Sequence, residues 1–333
     1  MESNFEGWIE AKLLSSLLAK FLDSHFISDK ISHLEGQPSI GFKVIYSPFR
    51  TSLNEPFNPD HAAVVINRWI GRFGNNVIQL RSAYLLAKLL GVQTVIAPVH
   101  EFFQSVECEN ISWCFGTAET DEMSVVIIGD FFPHPFNHYH TIYGGKNIGD
   151  FYHDLRPACT LKTETVLTER DLVLFIRSGD IFTINHGVIS SYGQPPLSFY
   201  EAVIEIEQPE RIFVLAEDDA NPVTRALMEQ GRPNIEIIRL GMRGDFEFML
   251  GAKNIATGTT TLMPNLLNLS TDIQRCYTFE NWLMNSFNGT FKIVNILDGM
   301  GYYKSQILNN NWTHSPAQLA LMVDYPMSNL ILP

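Results

Sequence analysis

Three short stretches of the chain combine residue types that suit anion binding. Gly71-Arg72-Phe73-Gly74-Asn75-Asn76 stands between an apolar run and a helical pattern. Its two glycines let the backbone turn tightly and approach a ligand, and the N–H groups that open a helix lack intrahelical partners. Phe175-Ile176-Arg177-Ser178-Gly179-Asp180 closes a second apolar run. Arg177 offers a planar fork for two diphosphate oxygens, and Asp180 either orients that arginine or meets a sugar hydroxyl. Thr257-Gly258-Thr259-Thr260-Thr261 opens a further helix, where hydroxyls and free amides together suit phosphate oxygens. Each stretch also has a plainer reading. An isolated Gly-x-x-Gly serves an ordinary βα turn, Arg-x-x-Asp serves a surface ion pair, and one threonine is enough to cap a helix.

The elements around these stretches must put them in one place. Residues 62–66, 94–97 and 125–128 are short apolar runs that read as buried strands, and 77–90 reads as a helix closed by Gly91. Ahead of them, Ile9, Leu13, Leu17 and Phe21 make an apolar stripe on a helix over 8–22, and 35–60 reads as loop around a strand at 42–46. Residues 131–145 are aromatic, His-rich and irregular, which suits a loop over a cleft. In the second half, strands are expected at 172–176, 211–215, 235–239 and 255–257. A long loop at 178–196, in which Gln194-Pro195-Pro196 is a turn, leads to a helix with a capping box at Ser198 and Glu201. Further helices are expected from Asn221-Pro222 to Gly231, over 245–253 and over 262–269. Strands and helices alternating at this spacing predict an α/β fold of two facing Rossmann-like domains, 1–160 and 161–333. In such folds ligands lie outside the carboxyl ends of the strands, where all three anion-suited stretches fall.

Bulk properties narrow the chemistry. The 333 residues are 45 % hydrophobic and 18 % charged, a globular-enzyme balance with enough chain for two cores. A net charge of -13 argues against nucleic acid as a partner, since that would need a basic face to release counterions. Cys108, Cys114, Cys159 and Cys276 form no CxxC pair, which fits reduced core thiols. Glu2, Glu6 and Glu10 occupy the N-terminus where a secretory leader carries basic residues, and no apolar run approaches the ~20 residues of a membrane span. A cytoplasmic location without an integral membrane segment is therefore expected, and the four N-x-[ST] sequons, at Asn110, Asn268, Asn288 and Asn311, read as chance. His134, His138 and His140 lack an HExxH pattern, and Pro133 and Pro135 break any helix that would align them, so no metal site is expected. The glycine turn is not GxGxxG, which counts against a nicotinamide cofactor.

The order of the motifs adds a further reading. Gly-Arg-Phe-Gly-Asn, then Ile-Arg-x-Gly-Asp, then a strand ending Leu215-Ala216-Glu217-Asp218-Asp219, then the threonine-rich helix start, resembles the fucosyltransferase superfamily over roughly residues 62–270. The first motif looks most like the protein O-fucosyltransferase version, and the second more like the α-1,2-fucosyltransferase pattern His-x-Arg-Arg-x-Asp. The resemblance implies a GT-B-like, inverting, metal-independent glycosyltransferase without a cofactor. Its donor would be a nucleoside-diphosphate sugar, with GDP as the nucleotide and fucose as the sugar, and its acceptor a glycan or glycoconjugate hydroxyl. The N-terminal domain would carry the acceptor and the C-terminal domain the donor.

Carried over by position, the resemblance makes Arg177 the pyrophosphate-binding arginine, sets Asn75 beside the donor and Asp218 near the nucleotide, and brings Thr259, Thr260 and Thr261 to the phosphates. Arg177, Asp180 and Asn75 form the implied catalytic set, and Gly71, Arg72, Phe73, Gly74 and Asp245 complete the implied donor set. Asp180, Glu101 and a histidine of the 131–145 loop remain open as general base. Two positions depart from the α-1,2 pattern: its histidine is Phe175 and its second arginine is Ser178. Protein O-fucosyltransferases also use one arginine there. The same skeleton also admits a relative that uses another nucleotide sugar, or a catalytically silent one that only binds. Adjacent Asp218 and Asp219 do not form the Asp-x-Asp of metal-dependent transferases. Transfer is therefore expected to persist in EDTA; loss restored by manganese would mean a metal-dependent transferase instead.

Overall fold

The computed structural model describes residues 7–8, 42–46, 59–116, 125–131, 148–163, 165, 167–182, 190–280 and 291–333. The chain forms two compact units, Met1–Thr160 and Leu161–Pro333, and each is an α/β structure around a parallel-rich sheet.

The first unit contains β1 (Gly7–Trp8), β2 (Phe42–Tyr46), β3 (Ala62–Ile66), α1 (Phe73–Leu90), β4 (Thr94–Ala97), β5 (Val106–Glu107), β6 (Ser112–Phe115), β7 (Val125–Gly129) and α2 (Ile148–Leu155). Its strand order is β1-β2-β7-β3-β4-β6-β5. The central strands β7, β3, β4 and β6 run parallel, and antiparallel strands finish both edges. Continuous apolar sequence suits strands covered on both faces; Ala63, Val64, Val95 and Ala97 are buried, as are Val77, Leu80, Tyr84 and Leu86 of α1.

Helix α1 begins at Phe73, four residues before the start expected from periodicity, because packing overrides the weak helix propensity of Gly and Asn. Phe73 is buried with its ring stacked on Phe103 and edge-on to Phe102. The N–H groups of Asn75 and Asn76 both donate to the Arg72 carbonyl, which starts the helix there. At the other end Gly91 is left-handed (φ 71°) and Val92 N–H returns to the Ala87 carbonyl, so the expected glycine stop is real. Trp8 pairs with Lys43 in β1 rather than opening a helix. Residues 9–22, the sequon at Asn288 and the loop histidines His134, His138 and His140 lie outside the described residues.

The second unit contains β8 (Asp171–Ile176), α3 (Leu197–Glu207), β9 (Arg211–Ala216), α4 (Pro222–Glu229), β10 (Ile235–Ile238), α5 (Gly241–Leu250), β11 (Asn254–Thr257), α6 (Leu262–Leu269), β12 (Arg275–Phe279), β13 (Lys292–Asp298), α7 (Tyr302–Ile307), α8 (Pro316–Asp324) and β14 (Leu330–Ile331). The strand order is β10-β9-β8-β11-β12-β13-β14, parallel throughout except for β14. Numbered from β8, the six parallel strands read 3-2-1-4-5-6, the order of a Rossmann sheet. The chain steps outward from β8 in one direction, then returns to start the other half at β11. The order therefore reverses between β8 and β11.

Side chains alternate between the faces of this sheet. Leu172, Leu174, Ile176, Ile212, Val214 and Ala216 share one core with Phe199, Val203, Val223 and Leu227 of α3 and α4. Phe213 takes the opposite parity and meets Phe248 of α5, with ring centroids 5.1 Å apart.

Two helix starts differ from the sequence expectation. Pro196 is the N-cap of α3, so Ser198 falls inside the first turn and does not cap it; its hydroxyl is buried with no hydrogen-bond partner among the described residues. The capping box of the second unit belongs instead to Ser315 and Gln318 at the start of α8. Helix α5 begins at Gly241, and Asp245 lies inside it, accepting the Leu240 N–H at 2.8 Å. Elements β12 to β14 and the helices α7 and α8 have no counterpart among the expectations from sequence. No helix among the described residues is long and apolar enough to cross a membrane. By urea unfolding, Ser315→Ala should lower stability by about 1 kcal/mol through loss of the cap. Ser198→Ala should leave stability unchanged or raise it, because it removes a buried hydroxyl that bonds to nothing; an equal loss in both would contradict this assignment of caps.

Candidate functional site

The point where the strand order of the second unit reverses is where an α/β sheet opens a crevice for ligands. Two of the three anion-suited stretches leave the sheet there. The register pairs Ile176 with Ala216 on one side of β8 and Phe175 with Thr257 on the other. Arg177 therefore leaves the sheet between Glu217 and the Gly258-Thr259 turn.

Arg177 is recessed, with a side chain 15 % exposed. Its Nη1 donates to Glu217 Oε2 at 2.8 Å, and its Nη2 donates to Asp180 Oδ1. The backbone around it is held from β9. Asp218 Oδ1 accepts the Ser178 hydroxyl, the Gly179 N–H at 3.2 Å and the Ala220 N–H at 2.9 Å. Burial pushes the Asp218 carboxyl up, but these three donors and the Arg239 charge outweigh it and hold the group below its ordinary value. Asn221 accepts Val223 N–H at 2.9 Å as N-cap of α4, and its amide donates to the Arg177 carbonyl at 2.9 Å. Gly179 is left-handed (φ +68°), and a Cβ there would overlap the Glu217 carboxylate.

Across the crevice, Thr260 Oγ1 accepts the Leu262 N–H at 3.1 Å, and Thr261 is the N-cap of α6 without a side-chain cap bond. The Thr259 carbonyl accepts from Gln194 Nε2 at 3.0 Å, and the Gln194 carbonyl accepts the Tyr303 hydroxyl at 2.6 Å. A Cβ at Gly258 would overlap Gln194 Oε1 and Pro195, so the glycine permits this close approach. Asp245 is spent on the start of α5, and burial raises its carboxyl pKa against the Leu240 bond. Its Oδ1 serves the helix start.

The glycine stretch of the first unit is built by β3 and α1. Gly71 is left-handed (φ +73°), and its Cα lies against the Asn75 amide, where a Cβ would not fit. Gln79 Nε2 donates to the Arg68 and Asp130 carbonyls at 2.9 and 2.6 Å, tying together the ends of β3 and β7. Arg68 also pairs with the Asp130 carboxylate, Nε to Oδ2 at 3.0 Å. Phe73 serves the core, and Gly74 is buried beside it. Gly71 and Arg72 are exposed, whereas Asn75 Oδ1 is buried with no hydrogen-bond partner among the described residues. Glu101 is exposed in the turn after β4. An orphaned buried acceptor calls for a donor, from water or a ligand.

Sequence reading left out Glu217, Gln194, Asn221 and His100 as working residues. Glu217 was legible only as the residue after a strand; its pairing with Arg177 needs the register of β8 with β9. His100, after β4, accepts the Phe102 N–H at its Nδ1 (3.1 Å), which leaves the proton on Nε2, 3.3 Å from Asn76 Oδ1. Among the described residues no cluster of three or more His, Cys, Asp or Glu side chains is arranged to hold a metal ion. No disulfide joins Cys108, Cys114, Cys159 and Cys276.

No protein-family model matches the chain, and no curated protein matches its sequence. Among solved structures it is similar to POFUT1 in complex with GDP, at 10 % identity and a TM-score of 0.38, covering 67 % of this chain and 99 % of that one. POFUT1 in complex with GDP-fucose gives 11 % identity and a TM-score of 0.39 over the same shares. The apo form of POFUT1 gives 12 % identity and a TM-score of 0.34, over 61 % of this chain and 92 % of that one.

Burial lowers the His100 pKa to about 4, so the folded protein holds this imidazole neutral. Its unfolded value is ordinary, near 6.5. The stability this neutral imidazole carries is therefore complete above about pH 6.5 and is lost as pH falls toward 4. An NMR titration should find the His100 ring near 4, and a value above 6 would contradict the buried, Nε2-protonated state.

Proposed function

We propose that the protein is a glycosyltransferase that takes a sugar from a nucleoside-diphosphate donor at the crevice of its second unit. The observation that carries this reading is the convergence of Arg177 and the threonine-rich start of α6 on adjacent strand ends, where the strand order reverses. A guanidinium on one side and helix-opening amides with hydroxyls on the other match the two ends of a diphosphate. The motif resemblance supplies the finer terms: GDP as nucleotide, fucose as sugar, inversion at the anomeric carbon, no metal or cofactor, and a glycan or glycoconjugate acceptor carried by the first unit.

In this reaction the acceptor oxygen bonds to the anomeric carbon as the bond from that carbon to the diphosphate oxygen breaks. The sugar becomes strongly cationic, negative charge grows on the departing nucleoside diphosphate, and the acceptor proton passes to a carboxylate base. Arg177 and the α6 donors stabilise the growing charge. Asp180, already oriented by Arg177, is the base candidate within this unit; Asn75 and the Gly71–Gly74 turn keep their assignment from the resemblance alone.

Two measurements test the proposal. Arg177→Ala should abolish transfer from a GDP-sugar while the circular dichroism spectrum and melting stay native, since losing such a contact costs a few kcal/mol in the transition state. Arg177→Lys should recover only part of the rate, because an ammonium cannot hold two oxygens in a fork. Wild-type turnover by Arg177→Ala would remove the assignment. GDP should also raise the melting temperature more than UDP, dTDP or NAD; a hundredfold excess over Kd adds about 2.7 kcal/mol. A larger shift with UDP would keep the transferase and discard fucose, and nucleotide binding without turnover on any acceptor would mean a silent relative.

A further inference from the structure

We propose that Gln194 is a positioning residue of this crevice: its amide sets the Thr259 peptide plane and so aims the start of α6 at a diphosphate. The inference rests on the diphosphate reading of the site.

The amide has one orientation. Its Nε2 donates to the Tyr192 carbonyl at 2.9 Å and to the Thr259 carbonyl at 3.0 Å. Turned over, the side-chain oxygen would face two carbonyl oxygens, so the NH2 group belongs on that side. Gln194 is 1 % exposed, and its Oε1 is buried with no hydrogen-bond partner among the described residues. That oxygen lies against Gly258, where a Cβ would overlap it and Pro195. A buried acceptor without a donor weakens a fold. Local rules of this kind are broken where a site needs a particular geometry, and here the geometry is that of the Thr259 carbonyl.

The backbone of Gln194 is anchored as well. Its carbonyl accepts the Tyr303 hydroxyl at 2.6 Å, and Gly193 lies so close to the Ile307 carbonyl that a Cβ would not fit. Both partners belong to α7. Pro195 follows and biases Gln194 toward extended backbone, and Pro196 is the N-cap of α3. The side chain therefore reaches Thr259 from a segment fixed on two helices.

What it reaches governs the donors. In a trans peptide the carbonyl and the N–H that follows point opposite ways. Holding the Thr259 carbonyl toward Gln194 turns the Thr260 N–H to the other side. The next side chain, Thr260 Oγ1, accepts the Leu262 N–H at 3.1 Å, and Thr261 is the N-cap. One peptide plane thus sets how the chain enters α6, whose opening N–H groups have no intrahelical partners. Thr257 pairs with Phe175, two residues before Arg177, so rotating that plane shifts the threonine donors relative to the guanidinium. A ligand that must meet both ends at once loses affinity when one end is misaimed.

Isothermal titration calorimetry on the full chain, with inorganic pyrophosphate, GDP and guanosine as probes, tests this. Wild type, Gln194→Met, Gly258→Ala and Arg177→Ala are compared, each checked for native circular dichroism and for its melting temperature. Gln194→Met keeps the length of the side chain and removes both N–H groups, while Gly258→Ala keeps the amide and displaces it. Both should raise the Kd for pyrophosphate and GDP roughly three- to tenfold, the worth of one hydrogen bond, and leave guanosine unchanged. A glutamine that only supports the fold would lower the melting temperature without touching these affinities. Wild-type pyrophosphate and GDP binding by Gln194→Met therefore overturns the proposal, and so does an equal loss for guanosine. If Gln194→Met does not reach the native spectrum, Gly258→Ala decides by the same criteria. Loss in Arg177→Ala alone leaves the diphosphate reading standing without the glutamine. Loss in Gln194→Met with wild-type binding by Arg177→Ala supports the positioning role and removes the arginine from the site. If the wild type binds neither pyrophosphate nor GDP, both readings fail.

Discussion

At the ends of β8 and β9 the ladder of backbone hydrogen bonds stops, and the two loops that follow need another source of order. Asp218 supplies it. A single carboxylate oxygen from the β9 loop gathers a hydroxyl and an amide from the β8 loop and an amide from its own. Asn221 repeats the connection two ways, through the Arg177 carbonyl and through the start of α4. These bonds hold the backbone that carries Arg177 beyond the end of the strand. The proposed diphosphate contact depends on that, since an arginine on a loose loop would spend its binding energy on being ordered.

The first unit joins its strand ends with an amide and an ion pair. Its strand order also reverses beside β3, between β3 and β7, and the Gln79 amide joins the two ends through the Arg68 and Asp130 carbonyls. The amide satisfies both backbone carbonyls, and the Arg68–Asp130 ion pair bridges the same two residues. The second unit instead gathers Asp180, Glu217, Asp218 and Asp219 around Arg177 and Arg239.

Gly179 and Gly258 show how closely that crevice is packed. Each lies against a polar side chain from elsewhere in the chain, Glu217 for one and Gln194 for the other. Gln194 is buried and links the segment before α3 to the start of α6. The threonine side of the crevice is thus braced by a side chain that neither strand contributes.

The sequence by itself determined the class of the fold and most of its strands. Runs such as Val173–Leu174 and Val214–Leu215 are apolar at every position because a parallel sheet is covered on both faces, and that demand is visible residue by residue. Gly91 and Gly231 were legible as helix ends because a left-handed residue without a Cβ is a local requirement. Arg177 and the threonine run could be named as anion-suited from composition and position alone. The tertiary structure decided what those residues are bonded to. Whether Ser198 caps a helix depended on where Pro196 turns the chain, and whether α1 starts at Phe73 depended on an aromatic pocket formed by Phe102 and Phe103. That Glu217 rather than Asp218 meets the arginine followed from a strand register set 40 residues away, and hydrogen bonds between strands carry no signature in the local sequence of either one.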